Sequence, residues 1–375
     1  MSSLKIQQNI PLAPYTTFKI GGPARWFCVV RDQFDALEGY EFAKERHLQT
    51  FVLGGGSNVL ISDDGFNGLV MRVVNKGIEV VKETADDVLL KVASGEVWDE
   101  VVKFAVTNNW WGIENLSHIP GSTGAIAVQN VGAYGQEASN VIESVTVFDK
   151  QTHQITNIKN ADCGFAYRSS IFNTSNKGKY IIFDIAFRLK KNGQPNLSYR
   201  DVRNFFDLPT TPSAPPGAGH LPQKGENNNV LSLSEIRKAI TAIRDKKFPF
   251  PTEAKKGNAG SFFKNLFLTR DEFQAVKNKV LEALGEEAKT RLEEKVMLSG
   301  EQIKVPAAFL IELCGLKNLH SGGAAINPNQ PLVIINQTGQ ATAADVLNLA
   351  KLVRDDVESK TGIILQFEPE LIGFT

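Results

Sequence analysis

The sequence predicts an α+β protein with a two-part N-terminal region followed by a C-terminal α/β domain. Three observations carry that expectation. A strand, a helix and a second strand within residues 24–53 run straight into a glycine-rich loop. Strands at 144–149, 154–158 and 180–189 alternate with turns rather than helices, which argues against a doubly wound sheet. Beyond a break at 209–229, helices with capping boxes frame strands at 332–336 and 363–367.

The first strand, 24–30, precedes a helix capped by Asp32 with Phe34, Leu37 and Phe42 as its apolar positions, and the strand at 50–53 follows. Further strands are expected at 68–74, 78–81 and 88–93, then a helix at 97–109 that ends before Trp110 and Trp111, a pair read as core packing. Residues 209–229 are rich in Pro, Gly and Asn with almost no large apolar side chain, so they bury too little surface to order themselves and read as a mobile insertion. Ser232 with Glu235, Thr269 with Glu272 and Thr342 with Asp345 each form a capping box that opens a helix. In the first of these, Ile236, Ile240 and Ile243 share one face, while Arg237, Arg244, Lys246 and Lys247 read as a solvated one. The expected boundaries are 1–75, 76–247 with the insertion inside it, 248–360, and a terminal strand at 361–375.

Composition removes several function classes. The 41 basic and 41 acidic residues cancel, so no net charge favours nucleic acid or an acidic membrane surface. Cys28, Cys163 and Cys314 lie far apart and form no Cys-x-x-Cys pair, and the five histidines show no spacing that puts two ligands on one helical face. Neither a disulfide framework nor a metal site is expected. The N-terminal residues are polar and no run of eighteen apolar residues occurs, so the protein is expected in the cytoplasm.

Two loops are chemically suggestive. Gly54, Gly55, Gly56, Ser57 and Asn58 follow an apolar strand, and Ile119, Pro120, Gly121, Ser122, Thr123, Gly124 and Ala125 form a second loop of the same character. A single glycine cluster is an ordinary tight turn. Two of them offer small residues whose backbone N–H groups converge on an anion, which suggests a diphosphate cradle. Neither has Walker A or Gly-x-Gly-x-x-Gly spacing, so the common nucleotide folds are excluded.

Gly257-Asn258-Ala259-Gly260-Ser261-Phe262-Phe263-Lys264-Asn265 is the most specific string in the chain. It is not a nucleophile elbow, because Phe263 stands where the second glycine would be, and no histidine lies in a partner motif. Ser261 is therefore better cast as a proton donor than as an acylating nucleophile. The Tyr167-Arg168 pair places a phenol beside a fixed cation in a compact turn. Glu368-Pro369-Glu370 follows the strand expected at 363–367, where carboxylates emerge at a strand end.

In order, the string from Tyr15-Thr16-Thr17-Phe18 to Ala24, the Gly-Gly-Gly-Ser-Asn loop, residues 115–125, Gln129-Asn130-Val131-Gly132-Ala133-Tyr134-Gly135, the Tyr-Arg turn, the Ser261 string and Glu-Pro-Glu closely resemble the UDP-N-acetylenolpyruvoylglucosamine reductase family. The resemblance covers nearly the whole chain. It implies non-covalent FAD held by the two N-terminal parts in the vanillyl-alcohol-oxidase/PCMH type of fold, a substrate-binding domain at 248–360, and NADPH as hydride source. It also implies FAD contacts at Gly54, Gly55, Gly56, Ser57, Asn58, Ile119, Pro120, Gly121, Ser122, Gly124, Ala125, Gln129 and Gly132.

By motif position, Arg168 resembles the cation that stabilises an enolate, Glu370 its carboxylate partner, and Ser261 the acid that protonates the neighbouring carbon. Pro195-Asn196-Leu197-Ser198-Tyr199 is similar to the string of the family type with a tyrosine-bearing substrate loop. This makes Tyr199 a lid residue by resemblance. Tyr167, Arg244, Lys247, Asn265 and Gln330 are further substrate contacts, with Asn329 beside the last of them. The expected partners are UDP-N-acetylglucosamine enolpyruvate and NADPH, and the expected state is a monomer. Another FAD-dependent oxidase or dehydrogenase of the same superfamily is the alternative, against which the Ser261 string and the Tyr199 loop speak. The chain departs from the family pattern at Leu266 in place of a proline, in two extra residues between Pro251 and Gly257, and in a 307–312 segment without the usual tryptophan. The insertion lies between Tyr199 and Lys247 and is expected to bear on lid closure.

Overall fold

A computed structural model describes residues 4–208, 231–247 and 256–374. The insertion expected at 209–229 and the prolines that follow Lys247 lie outside the described residues. The chain divides into two compact units, one of Met1–Val29, Glu38–Arg72 and Phe250–Thr375, the other of Val30–Leu37 and Val73–Pro249.

In the first unit, strands Gln7–Pro11, Pro23–Val30, Phe66–Val73 and Thr50–Leu53 form a sheet in that order. The Phe66–Val73 strand thus enters between the two strands of the strand–helix–strand unit read from the sequence, and it runs parallel to Thr50–Leu53. These strands and their neighbours build a core from Leu12, Ala24, Phe27, Leu53, Ile61 and Val70. Asp32 caps the helix Gln33–Glu45 through the Phe34 and Asp35 amides, both at 2.9 Å. Its apolar face differs from the expected one. Ala36 and Ala43 are buried while Phe34 is 60% exposed, because small residues on the inner face let the helix approach closely.

The C-terminal part of this unit carries two sheets, Asn258–Ser261 with Val333–Asn336, Ala324–Ile326 and His320–Ser321, and Leu266–Leu268 with Gln302–Val305 and Met297–Ser299. Both expected capping boxes form, at Thr269 for Arg270–Leu284 and at Thr342 for Ala343–Thr361. The second helix also receives the Asp63 carboxylate on its Ala343 and Ala344 amides, at 2.7 and 3.0 Å, where the positive end of the helix favours an anion.

The strand expected at 363–367 does not form. Ile363 and Leu365 are buried, but only Phe367 bridges a neighbour, Phe263. A continuous ladder begins three residues later, where Glu370–Ile372 runs parallel to Val59–Ile61. Apolar alternation reports which side chains are buried and carries no information about whether a backbone partner lies alongside.

The second unit holds a fully antiparallel five-stranded sheet in the order Gln154–Lys159, Ile142–Asp149, Tyr180–Lys190, Asp87–Ala93, Ile78–Glu83. Helix Trp98–Thr107 buries Trp98, Val101, Val102 and Ala105 against the core of this unit. Trp110 is buried and packs edge-on against Phe104 at 5.6 Å, as read from the sequence. The Ser232–Glu235 box opens Leu233–Lys247, which buries Ile236, Ile240 and Ile243. The opposite side is not simply solvated. Arg237 forms two bonds to Asp99 at 2.7 and 2.8 Å, and Lys247 meets Asp201 at 2.6 Å. No described helix is long and apolar enough to cross a membrane.

Candidate functional site

The first glycine loop is fastened from behind by its carbonyls. Gly56 C=O accepts from the Thr17 N–H at 3.0 Å, and Asn58 C=O accepts from the Glu370 N–H at 3.0 Å. Because a trans peptide holds its C=O and N–H antiparallel, the Ser57 N–H points away from Thr17. Gly56 sits at φ +61°, and a Cβ there would lie 2.1 Å from the Tyr15 carbonyl oxygen. Only glycine fits there, and the turn keeps the Ser57 N–H directed away from Thr17.

Asn58 also reaches forward with its side chain, donating from Nδ2 to the Glu368 carbonyl at 3.2 Å. On its other side the same segment is held by the Ser261 string. Lys264 N–H donates to Gln366 C=O at 3.0 Å and Glu368 N–H to Phe262 C=O at 2.9 Å. Residues 366–370 therefore form a ribbon with the first glycine loop along one edge and the residues after Ser261 along the other. Phe262, Phe263 and Phe367 pack ring to ring beneath it, at 5.4–5.7 Å. Ser261 ends its strand opposite Val333, and both Ser261 and Glu370 are partly exposed.

Arg168 lies in the second unit. It occupies the tip of a turn closed by Ala166 and Ser169, in the left-handed region at φ +52°. Its guanidinium donates to Gly132 C=O at 3.0 Å and lies 5.2 Å from the Tyr167 ring centre. Asn130 and Tyr134, on either side of Gly132, also have positive φ, at +44° and +49°. Strain of this kind persists only where surrounding contacts over-determine the backbone, and it gathers at functional sites.

The second glycine loop uses part of its own donor set. The amides of Thr123, Gly124 and Ala125 donate to Glu96, Ser94 and Ser122 carbonyls at 2.8, 2.8 and 3.0 Å. A Cβ on Gly124 would stand 2.7 Å from Ser94 Cβ, so that glycine is required for packing. Gly121 at φ +120° sets the turn out of Ile119 and Pro120. Gln129 follows as the cap of the short helix Thr123–Val128.

The residues expected to meet the substrate diphosphate come together in the second unit. Tyr199 packs edge-on against Tyr134 at 5.2 Å, and Lys247 Nζ lies 5.6 Å from the Tyr134 ring centre. Arg244 Nε donates to His118 C=O at 2.7 Å. Burial pushes both phenols up, against the pull of Arg244 on Tyr134 and of Lys247 on Tyr199. Burial also draws Arg244 below its ordinary value. The cluster thus gathers two cations, two neutral phenols and the Asp201 carboxylate, which pairs with Lys247 at 2.6 Å. In the first unit, Asn265 Oδ1 accepts from the Ala307 N–H at 3.1 Å. Gln330 closes a turn with Asn327 and Val333.

Sequence reasoning assigned no site role to Thr17, Asn58 Nδ2 as a tether, Asp99, His118 or Asp201. Thr17 had a signal, since it lies in one of the family strings. The others are defined by partners far away in sequence, such as Asp99 with Arg237, and leave no local pattern.

Comparison with known proteins places these features. Residues 251–372 match the model of the UDP-N-acetylenolpyruvoylglucosamine reductase C-terminal domain, and residues 27–157 match that of an FAD binding domain. A UDP-N-acetylenolpyruvoylglucosamine reductase of Flavobacterium johnsoniae is 35% identical over 98% of this chain and 100% of its own. The Neisseria meningitidis reductase is 36% identical over 97% of this chain and 96% of its own, and that of Pseudomonas aeruginosa 34% over 98% and 99%. The fold matches the crystal structure of the Thermus caldophilus reductase with a TM-score of 0.63 and 20% identity over 98% of both chains. On this evidence the chain is an FAD-binding oxidoreductase and belongs to the UDP-N-acetylenolpyruvoylglucosamine reductase family.

Proposed function

We propose that the protein reduces the enolpyruvyl group of UDP-N-acetylglucosamine enolpyruvate to give UDP-N-acetylmuramate, with NADPH as reductant, in the cytoplasmic synthesis of peptidoglycan precursors. The observation that carries this reading is the 366–370 ribbon. It links the Gly-Gly-Gly-Ser-Asn loop, Glu370 and the Ser261 string through hydrogen bonds of 2.9–3.2 Å within one unit. Such a linkage holds an acid and a carboxylate at fixed positions beside a loop shaped for a diphosphate.

When bound, FAD supplies the chemistry of taking hydride from NADPH and giving it to one carbon of the enolpyruvyl double bond. Gly54, Gly55, Gly56, Ser57 and Asn58, with residues 119–125, Gln129 and Gly132, would hold that cofactor. Addition of hydride to the double bond leaves negative charge on the adjacent carbon and its carboxylate. Arg168 stabilises that charge, and Glu370 is the catalytic carboxylate. Ser261 gives its hydroxyl proton to the carbon, forming the new C–H bond, and recovers a proton from solvent. Tyr199, Lys247 and Arg244 bind the substrate diphosphate, with Tyr167, Asn265 and Gln330 as further contacts.

Stopped-flow measurement of the two half-reactions tests the roles. In Ser261→Ala, flavin reduction by NADPH should persist while reoxidation by the enolpyruvyl sugar nucleotide falls about 100-fold or more. If both half-reactions keep wild-type rates, Ser261 is not the acid.

A further inference from the structure

The Tyr15-Thr16-Thr17-Phe18 string has no part in the chemistry described above, yet Thr17 makes contacts to both halves of the site in its unit. Its N–H donates to Gly56 C=O at 3.0 Å, at the centre of the first glycine loop. Its hydroxyl donates to Asn258 C=O at 2.7 Å, and its own C=O accepts from the Asn258 N–H at 3.2 Å. Thr17 therefore grips the Asn258 backbone through both its donor and its acceptor.

That grip continues toward Ser261. Asn258 is buried, and its Oδ1 accepts from the Gly260 N–H at 2.9 Å, closing the turn that leads into Ser261. Gly260 lies at φ +71°, and the register between Asn258 and Ser261 is broken by an irregularity against Val333–Asn336. The strand that carries Ser261 is thus not set by a regular ladder at this point. The neighbouring Gly257 is crowded against the same residue, since a Cβ there would lie 2.3 Å from the Thr17 carbonyl oxygen.

We propose that Thr17 is a positioning residue that fixes the Ser261 hydroxyl relative to the first glycine loop by holding Asn258 and Gly56 on one residue. The assignment rests on the reading of Ser261 as the proton donor. Displacing a donor by a fraction of an ångström slows proton transfer without weakening substrate binding in proportion.

The test compares Thr17→Val, which keeps shape and both backbone bonds but removes the hydroxyl, with Thr17→Ser, which retains it. In Thr17→Val, the rate of flavin reoxidation by the enolpyruvyl sugar nucleotide should fall about tenfold. Its solvent deuterium isotope effect should rise. Flavin reduction by NADPH, the KM for the sugar nucleotide and the affinity of the apoprotein for FAD should stay within about twofold of wild type. Thr17→Ser should restore the rate and the isotope effect.

Wild-type reoxidation in Thr17→Val overturns the proposal. So does a variant that loses flavin affinity or unfolds at lower temperature in step with its rate, because Thr17 is then a structural residue. Ser261→Ala, measured alongside, separates the two levels. Normal reoxidation in Ser261→Ala removes the underlying reading and this assignment with it. Impaired Ser261→Ala beside normal Thr17→Val removes only the assignment of Thr17.

Discussion

The N–H of Glu370 donates to the carbonyl of Asn58 at 3.0 Å, so the strand that begins with the carboxylate starts on the last residue of the first glycine loop. The Asn58 side chain repeats the connection two residues earlier, at Glu368. A loop and a carboxylate 312 residues apart in sequence thereby share one backbone register.

Asn58→Asp should be more damaging than Asn58→Ala. The new carboxylate would face the Glu368 carbonyl oxygen with no proton to donate, leaving two acceptors opposed at a partly buried contact. A loss of about 1–3 kcal/mol is expected from the midpoint of urea unfolding. Equal stability of Asn58→Asp and wild type would show that the side-chain bond does not hold the ribbon.

Gly56→Ala should destabilise the first unit by about 2–4 kcal/mol, combining a positive φ for a residue with Cβ and a close approach to the Tyr15 carbonyl. Thermal unfolding of the apoprotein measures this without reference to cofactor. A melting temperature within a degree of wild type would mean that the loop relaxes away from Tyr15.

Asp201 neutralises Lys247 at 2.6 Å, the same lysine proposed to meet the substrate diphosphate. Ligand and Asp201 then compete for one ammonium. Asp201→Asn should tighten UDP binding about two- to fivefold, the value of a partly exposed ion pair, as measured by calorimetry at low salt. Weaker UDP binding would instead assign Asp201 the task of aiming Lys247 at the ligand.

Asp99 ties helix Trp98–Thr107 to helix Leu233–Lys247 through Arg237, and its carboxyl also accepts from the His118 amide just before the second glycine loop. Burial alone would raise its pKa, but the Arg237 bonds and the His118 amide outweigh burial and hold it below the ordinary 3.8. A lowered folded-state pKa contributes stability that is present above the unfolded value and lost as pH falls through the folded one. Asp99→Asn should therefore cost roughly 2–3 kcal/mol near pH 7. The gap to wild type should narrow below about pH 4 in acid titrations of stability. A gap that is constant from pH 7 to pH 3 would exclude the ionised carboxylate as its source.

The residues of the proposed site were nameable from the chain. Gly56, Arg168, Ser261 and Glu370 each sit in a short string with its own local signal: a glycine cluster, a Tyr-Arg turn, a serine between small residues and aromatics, a carboxylate pair around proline. All three capping boxes formed because Ser or Thr and Glu or Asp three residues on satisfy each other's backbone donors without help from elsewhere. Phe34 shows the limit, since a helical position read as apolar faces solvent while Ala36 and Ala43 are buried.

By itself the sequence determined the elements whose energetics are local and the family to which the strings belong. Only the tertiary structure decided that 363–367 pairs through a single bridge at Phe367 while a ladder starts at Glu370, that Arg237 and Lys247 are held by Asp99 and Asp201, and that Thr17 joins Gly56 to Asn258. Each of these is a backbone or ion-pair contact between residues separated by tens to hundreds of positions. Hydrogen bonds and ion pairs act over a few ångströms and leave no periodicity along the chain, so their partners are set by the fold.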